Sequence, residues 1–316
     1  MEARAFKRSA YAETTKSVYK SQLKCYVEFC LQFGCTPVPA TQTTLVAYLA
    51  FLAKKLSASS IPGYLNVVRL LHLEAGLSNP LESNWELQLI KKGIRRQLGK
   101  PPLQKLPITL NMLRDMYVLI DHSCAMDVAF WSAILVGFFG FLRKSTLLPS
   151  SVSVSPGKFL ARSDVLNFSL ESFELQIRNS KVIQFGQRVL VLPFVRVLDV
   201  RLCPVRALLV HLGRSVLNAD RPLFNYVKGA QETFFGHAAF VAKLKLLLSR
   251  LGVDPKLYSA HSLRRGGASY AFLSGLNPLQ IKSRGDWASA AFEKYVFISS
   301  EGAFVAARAL AVAASH

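Results

Sequence analysis

Residues 260–296 read AHSLRRGGASYAFLSGLNPLQIKSRGDWASAAFEKYV, and no other part of the chain gathers so many reactive side chains. His261 and Arg264 stand three apart, so on a helix both project from one face towards a shared target. Trp287 and Tyr295 close the stretch. A guanidinium offers a planar fork of donors and an imidazole either donates or accepts a proton, so the pair suits an anionic oxygen, phosphate above all. Taken singly, each has an ordinary structural account: His261 bonded to backbone at a helix start, Arg264 a solvated charge, Trp287 core, Tyr295 a half-buried helix side chain. The set is harder to dismiss. Gly266 and Gly267 interrupt an apolar helical pattern directly after Arg264 and Arg265, at about 1 kcal/mol each relative to Ala. That cost implies that something large packs close to this backbone.

The rest of the chain favours a polyanionic partner. Its 316 residues suffice for two domains with separate cores. The formal net charge is +20, from 39 Lys and Arg against 19 Asp and Glu. Such a surface attracts nucleic acid first and anionic membrane second. Residues 1–98 hold 13 basic and 6 acidic residues, so both halves are basic, as expected if both touch one long anion. The longest apolar run, Val128 to Leu142, falls short of the roughly 18 residues that span a bilayer and reads as a buried helix. The N-terminus MEARAFKRSA has no signal-peptide apolar core. Five cysteines, with Cys25, Cys30 and Cys35 at five-residue steps, spiral around a helix and do not converge on a metal. They read as reduced structural thiols of an intracellular protein.

Outward from the key stretch, helical spacing marks residues 13–33, 41–56, 57–73 and 85–98, a four-helix domain over 1–98. Its last helix carries Lys91, Lys92, Arg95 and Arg96. A phosphate backbone and a solvated face account for that cluster equally, and the total charge favours DNA. GKPPLQKLP over 99–107 predicts a semi-rigid linker, and 108–316 the second domain. There Thr109 caps a helix through Ile120, and residues 126–142 form the buried helix, from which Arg143 emerges as a functional charge or as the ordinary end of a buried helix. Period-two segments at 159–166, 173–177 and 189–192 predict strands, with 179–187 a hairpin loop holding Lys181. Most hairpin lysines only keep a sheet edge soluble. Residues 204–212 and 238–251 read as helices, the second with Lys243 and Lys245 on its polar side, and Pro222 and Phe224 fall in the loop between them. After Ser300 the Ala-rich tail EGAFVAARALAVAASH forms an apolar stripe that must dock somewhere.

H-x-x-R at His261 and Arg264, G-D-W at Gly285 to Trp287, and Tyr295 together resemble the C-terminal signature of tyrosine recombinases, the integrase-type enzymes of DNA strand exchange. In the family the tyrosine usually lies nine residues on from the Trp or His position. Here the interval is eight, and the wording RGGAS and GDWASAAF is closer to DIRS-like or Crypton-like enzymes of eukaryotic mobile elements. LRKSTL matches the L-R-x-S-E-L context of the family's first catalytic arginine and selects Arg143, while S-K in RNSKVIQFGQR matches its hairpin lysine and selects Lys181. Thr146 stands where much of the family has an acidic residue that buttresses the site.

The resemblance implies a mainly α fold with a small β-sheet: an N-terminal four-helix, SAM-like core-binding domain and a C-terminal α+β catalytic domain. It implies catalytic roles for Arg143, Lys181, His261, Arg264, Trp287 and Tyr295, with Arg265 among the DNA contacts and with no metal or cofactor. Tyr295 would attack a phosphodiester to give a 3′-phosphotyrosyl bond, with Arg143, Arg264 and the Trp287 indole holding the non-bridging oxygens. Lys181 would protonate the leaving 5′ oxygen, and His261 would assist deprotonation of the tyrosine. The implied partners are double-stranded DNA with inverted half-sites and further copies of the chain, a dimer per site and a tetrameric synapse. The tail helix docks on a neighbouring subunit or on its own domain, no membrane is involved, and the nucleus is the site of action if the source is eukaryotic. Tyr270, six residues from Arg264, is the competing nucleophile, expected to pack into the core. Two rival readings are a type IB topoisomerase using the same chemistry and a non-catalytic DNA-binding protein with this fold. A basic membrane-surface protein has only the charge in its favour.

Overall fold

The computed structural model describes residues 6–7, 9–101, 103–150, 157–215, 218–297 and 308. The chain forms two units, Met1–Leu103 and Gln104–His316. The tail from Ser300, for which a docking helix is expected, lies outside the described residues apart from Arg308.

In the first unit the helices are α1 (Glu13–Gln32), α2 (Gln42–Lys55), α3 (Ile61–Glu74) and α4 (Trp85–Leu98). Their apolar stripes meet around Tyr26, Phe29, Tyr48, Leu49, Leu65 and Val68. Thr41 and Asn84 cap α2 and α4 by accepting the N–H of Thr44 and Leu87. His72 accepts the Ala40 N–H at Nε2, which leaves its Nδ1 proton for the Val68 carbonyl, both at 2.8 Å. Only Leu87 of α4 is buried. Lys92, Arg95 and Arg96 are exposed and Lys91 is half-buried. Among the described residues none of these four cations has an ion-pair partner. Burial and the neighbouring Arg95 hold the Lys91 ammonium below the usual lysine range.

The second unit is built on a helix with no polar face. After α5 (Leu110–Val118), α6 (Ala125–Phe139) is buried from Asp127 to Phe138. It stops three residues before the predicted Leu142. The Gly140 N–H closes on the Val136 carbonyl, and Phe141 turns the chain at φ +49°. Arg143 therefore leaves from an extended residue ahead of the short helix α7 (Lys144–Leu147), not from the helix end.

A three-stranded antiparallel sheet of β1 (Val165–Leu166), β2 (Ser172–Ile177) and β3 (Leu190–Val195) follows, in sequence order. Alternate residues of β2 enter the core, where Phe173 stacks on its cross-strand partner Phe194 at 4.7 Å. The predicted strand at 159–166 is largely a 3-10 turn, because Asp164 accepts the Ala161 N–H (2.8 Å) and folds the chain back. Next come α8 (Pro204–Leu212), a hairpin of β4 (Asn225–Lys228) and β5 (Gln231–Phe234), and α9 (His237–Arg250). That hairpin occupies what the sequence reads as plain loop. Lys243 is not a free polar-face residue of α9, since it pairs with Asp127 of α6.

The chain ends its described course with α10 (His261–Leu273), α11 (Pro278–Arg284) and a 3-10 turn, Ala290–Lys294. Gly266 and Gly267 let α10 lie on α6. A Cβ would stand 2.0 Å from the Ile108 carbonyl oxygen at the first and 2.0 Å from the Phe138 carbonyl oxygen at the second. The bulk that the two glycines imply is thus backbone.

His211 of α8 is almost wholly buried and bonds through Nε2 to the Leu223 carbonyl at 2.7 Å. Burial pushes its pKa down to about 4, against 6.5 in the unfolded chain. Between those values only the unfolded chain binds the proton, so this stability is whole above about pH 6.5 and falls as the pH drops towards 4, by about 3 kcal/mol. Urea denaturation at pH 7 and pH 4.5 should show that loss. His211→Gln, which keeps a donor for the carbonyl, should shrink the loss by most of that amount.

Candidate active site

The end of α6 and the start of α10 meet where Phe141 turns, and this junction holds Arg264. Its guanidinium is 2% exposed. One Nη donates to the Phe141 carbonyl and the other to the Gly285 carbonyl at 2.7 Å. Its central carbon lies 3.8 Å from the Trp287 ring centre and 5.1 Å from that of Tyr295. Among the described residues no carboxylate forms an ion pair with it. Burial, then the Arg143 charge, holds its pKa well below the arginine range, with Tyr295 and Asp286 opposing. The group stays cationic at neutral pH.

The G-D-W turn explains itself at each residue. Asn277 and Gln280 form a capping box with Pro278 in the first turn of α11, and Gly285 ends the helix. Gly285 must lack a side chain, because a Cβ would fall 1.6 Å from a carbon of the Trp287 ring. Asp286 is left-handed at φ +54°. The Trp287 N–H then returns to the Lys282 carbonyl (3.1 Å), which lays the indole across Gly285 and onto Arg264. Trp287 is buried, and among the described residues neither its Nε1–H nor the Arg264 Nε–H has an acceptor.

Tyr295 follows the 3-10 turn with its ring 5.2 Å from Trp287 and 6.0 Å from His261. Ser269 of α10 clips its backbone by donating to the Tyr295 carbonyl (3.3 Å) and accepting the Phe297 N–H (2.8 Å). His261 opens α10 with its N–H on Ser259 Oγ at 3.2 Å. The residue is exposed, yet desolvation of the ring, then Arg264, Arg143, Lys144 and Lys181, lowers its pKa. The imidazole is accordingly neutral at pH 7 and able to accept a proton.

Arg143 lines a small pocket with Thr146, Ser180, Arg264, Arg284 and Asp286. Lys181 is exposed on the loop between β2 and β3, near enough for its charge to bear on His261. The structure thus gathers Arg143, His261, Arg264, Trp287 and Tyr295, with Lys181 on a loop at the margin. Arg265 faces elsewhere, half-buried with its guanidinium 5.5 Å from the Phe297 ring. Lys91, Lys92, Arg95 and Arg96 belong to the other unit. Tyr270 is not in the core as expected: it is 41% exposed, and the described ring beside it is Phe138 at 6.4 Å. Six residues along a helix turn it about 120° from Arg264.

Two residues of the site escape a reading by motif. Arg284 donates to the Phe139 carbonyl (2.7 Å) and the Pro193 carbonyl (3.0 Å), tying the end of α6 to β3. Asp286 accepts from Ser180 Oγ (2.8 Å) and pairs with Arg188. The available signal was their place in R-G-D-W, flanking the glycine.

No family profile matches the chain. It is 24% identical over 277 residues, 85% of its length and 77% of the relative's, to an integrase/recombinase XerD homolog of Selenomonas ruminantium. Among solved structures, the Tn1549 transposon integrase in complex with transposon right end DNA superposes with a TM-score of 0.62 at 14% identity, over 98% of both chains. A lambda integrase dimer bound to a core site gives 0.58 at 12% identity, over 92% of this chain and 91% of that one. These likenesses extend over both units and carry the mainly helical architecture with small antiparallel sheets. The chain is thus similar in sequence along 277 residues to an integrase/recombinase, and along nearly its whole length it has the fold of the Tn1549 and lambda integrases.

Proposed function

We propose that the chain cuts and rejoins DNA as a site-specific recombinase or integrase of a mobile element, by transesterification through a 3′-phosphotyrosyl intermediate. One observation carries this reading: Arg264 is a buried cation with no ion-pair partner among the described residues, held by two carbonyls and two aromatic rings beside a second arginine. A buried charge left unpaired costs several kcal/mol, and an anion entering beside it removes that cost. A phosphodiester is such an anion.

The chemistry follows from the side chains. Tyr295 Oη forms a bond to phosphorus as the bond to the 5′ oxygen breaks. Its proton passes towards the neutral His261, and Lys181 delivers a proton to the departing 5′ hydroxyl. Arg143, Arg264 and the Trp287 N–H hold the charge that builds on the non-bridging oxygens. The phosphotyrosyl bond conserves the energy of the original ester, so another 5′ hydroxyl religates without an external energy source.

The relative named an integrase/recombinase and the neighbours in complex with DNA support duplex DNA as the substrate. We infer inverted half-sites, two copies per site and four at a synapse, with the tail helix docking in trans. Lys91, Lys92, Arg95, Arg96 and Arg265 serve as backbone contacts, so affinity falls steeply with added salt. The eight-residue interval to Tyr295 and the RGGAS and GDWASAAF wording favour the eukaryotic mobile-element subgroup, acting in the nucleus.

The test is covalent capture. The protein is incubated with a library of nicked duplexes, denatured in detergent, and the adducts are sequenced and digested. The expected result is a common DNA sequence joined through its 3′ phosphate to the peptide containing Tyr295. No adduct, or an adduct on another residue, overturns the assignment.

A further inference from the structure

The loop that carries Lys181 does not hang free from the sheet. Ser180 Oγ accepts the N–H groups of Val182 (3.1 Å) and Ile183 (3.2 Å), and the Ser180 N–H donates to the Ile183 carbonyl (3.0 Å). Lys181 is therefore enclosed in a tight turn closed on one hydroxyl. That hydroxyl spends its own proton on Asp286, 106 residues further on, at 2.8 Å. At the other end of the loop Arg188 pairs with the second oxygen of the same carboxylate. Between these anchors the loop braces itself through Gln187, whose side chain reaches the Val182 carbonyl (2.7 Å) and the Phe185 N–H (2.9 Å).

Asp286 is a costly residue at this place. It is 8% exposed, and its backbone is left-handed, where glycine would be unstrained. Among the described residues it is the only carboxylate lining the pocket shared by Arg143, Thr146, Ser180 and Arg264. Its neighbours in sequence are two of the residues that hold Arg264: Gly285 through its carbonyl and Trp287 through its ring.

We propose that Asp286 is a positioning residue: its carboxylate clasps both ends of the β2–β3 loop and thereby fixes Lys181 relative to Arg264. The inference rests on the strand-cleavage reading above for its consequence, but the clasp itself is a property of the free protein. It makes one tripeptide responsible for two tasks, seating the cation that faces the phosphate and setting the lysine that serves the leaving group.

Two measurements on Asp286→Asn, Ser180→Ala and Arg188→Gln test it. Asparagine tolerates the left-handed backbone and still accepts from Ser180, so Asp286→Asn removes the ion pair with little else. The first measurement is amide hydrogen exchange of each full-length variant without DNA. All three should speed exchange at Val182 and Ile183 while α6 stays protected, and unchanged exchange there overturns the clasp. The second is single-turnover cleavage of the captured DNA, made with oxygen or with sulfur at the bridging 5′ position. A thiolate leaves without being protonated. Asp286→Asn should slow the oxygen substrate by about 10- to 100-fold, a part of what a general acid contributes, and be restored on the sulfur substrate as Lys181→Ala is. Equal slowing on both substrates would mean general damage to the site and overturn the positioning role. Faster exchange in the variants combined with no cleavage by the unaltered protein would leave the clasp standing and sink the cleavage reading alone.

Discussion

Tyr295→Phe is expected to abolish the detergent-resistant protein–DNA adduct altogether while leaving noncovalent DNA affinity within about twofold of the unaltered protein. The phenyl ring keeps the ring contacts of the tyrosine, the edge against Trp287 at 5.2 Å, the guanidinium of Arg264 at 5.1 Å and the ring of His261 at 6.0 Å, and loses only the interaction of the phenol oxygen with Arg264. Its backbone stays clipped to Ser269, because those bonds involve no phenol atom. What disappears is the one oxygen able to attack phosphorus, and a covalent step has no partial substitute for its nucleophile. A gel-shift titration beside the denaturing adduct assay separates the two quantities. An adduct that survives the change would transfer the role to another hydroxyl, and Tyr270 is the one to examine, being solvent-exposed on the neighbouring helix. Weakened noncovalent binding with no adduct would instead mean that the phenol also carries DNA contact.

The candidate site residues that the fold brings together were legible in the sequence because their types are distinctive and their spacing local. His261 and Arg264 lie on one helical face, and G-D-W at Gly285 to Trp287 stood out by its resemblance to the family signature. Gly266 and Gly267 were legible for the same reason, as a cost that something must offset, and the close carbonyls of Ile108 and Phe138 identify it. What stayed hidden depends on pairing between distant segments. The bonds from Asp286 to Ser180 and Arg188 exist only once β2 and β3 are in register and α11 lies beside them. Lys243 looked like a polar-face residue because its partner, Asp127, is 116 positions away. The β4–β5 hairpin was missed because each strand has four residues, too few for a period-two pattern to stand out from loop. The end of α6 was misplaced because Phe139, Phe141 and Leu142 are all apolar, and hydrophobicity does not report the left-handed turn at Phe141.

Arg264→Lys is expected to lower the single-turnover cleavage rate by about 10²- to 10³-fold, the effect of losing one preorganised donor to a developing oxyanion. The charge is conserved, so geometry is what the substitution tests. The guanidinium bonds the carbonyls of Phe141 and Gly285 with its carbon 3.8 Å from the Trp287 ring centre, and still has an Nε–H without a partner among the described residues. An ammonium is a point donor without a plane. If it follows the carbonyls it withdraws from the phosphate, and if it turns to the phosphate it leaves a buried carbonyl unsatisfied, at about 1–3 kcal/mol. A second consequence follows from the same bonds. Phe141 is the residue that turns the chain from α6 towards Arg143, so loosening its carbonyl also loosens the second arginine. The midpoint of urea denaturation should therefore fall together with the cleavage rate, and Arg143→Lys, which removes no described carbonyl bond, should lower the rate alone. Cleavage by Arg264→Lys within about threefold of the unaltered protein, well short of one lost donor, would mean that the buried guanidinium holds the fold together and does not act on the phosphate.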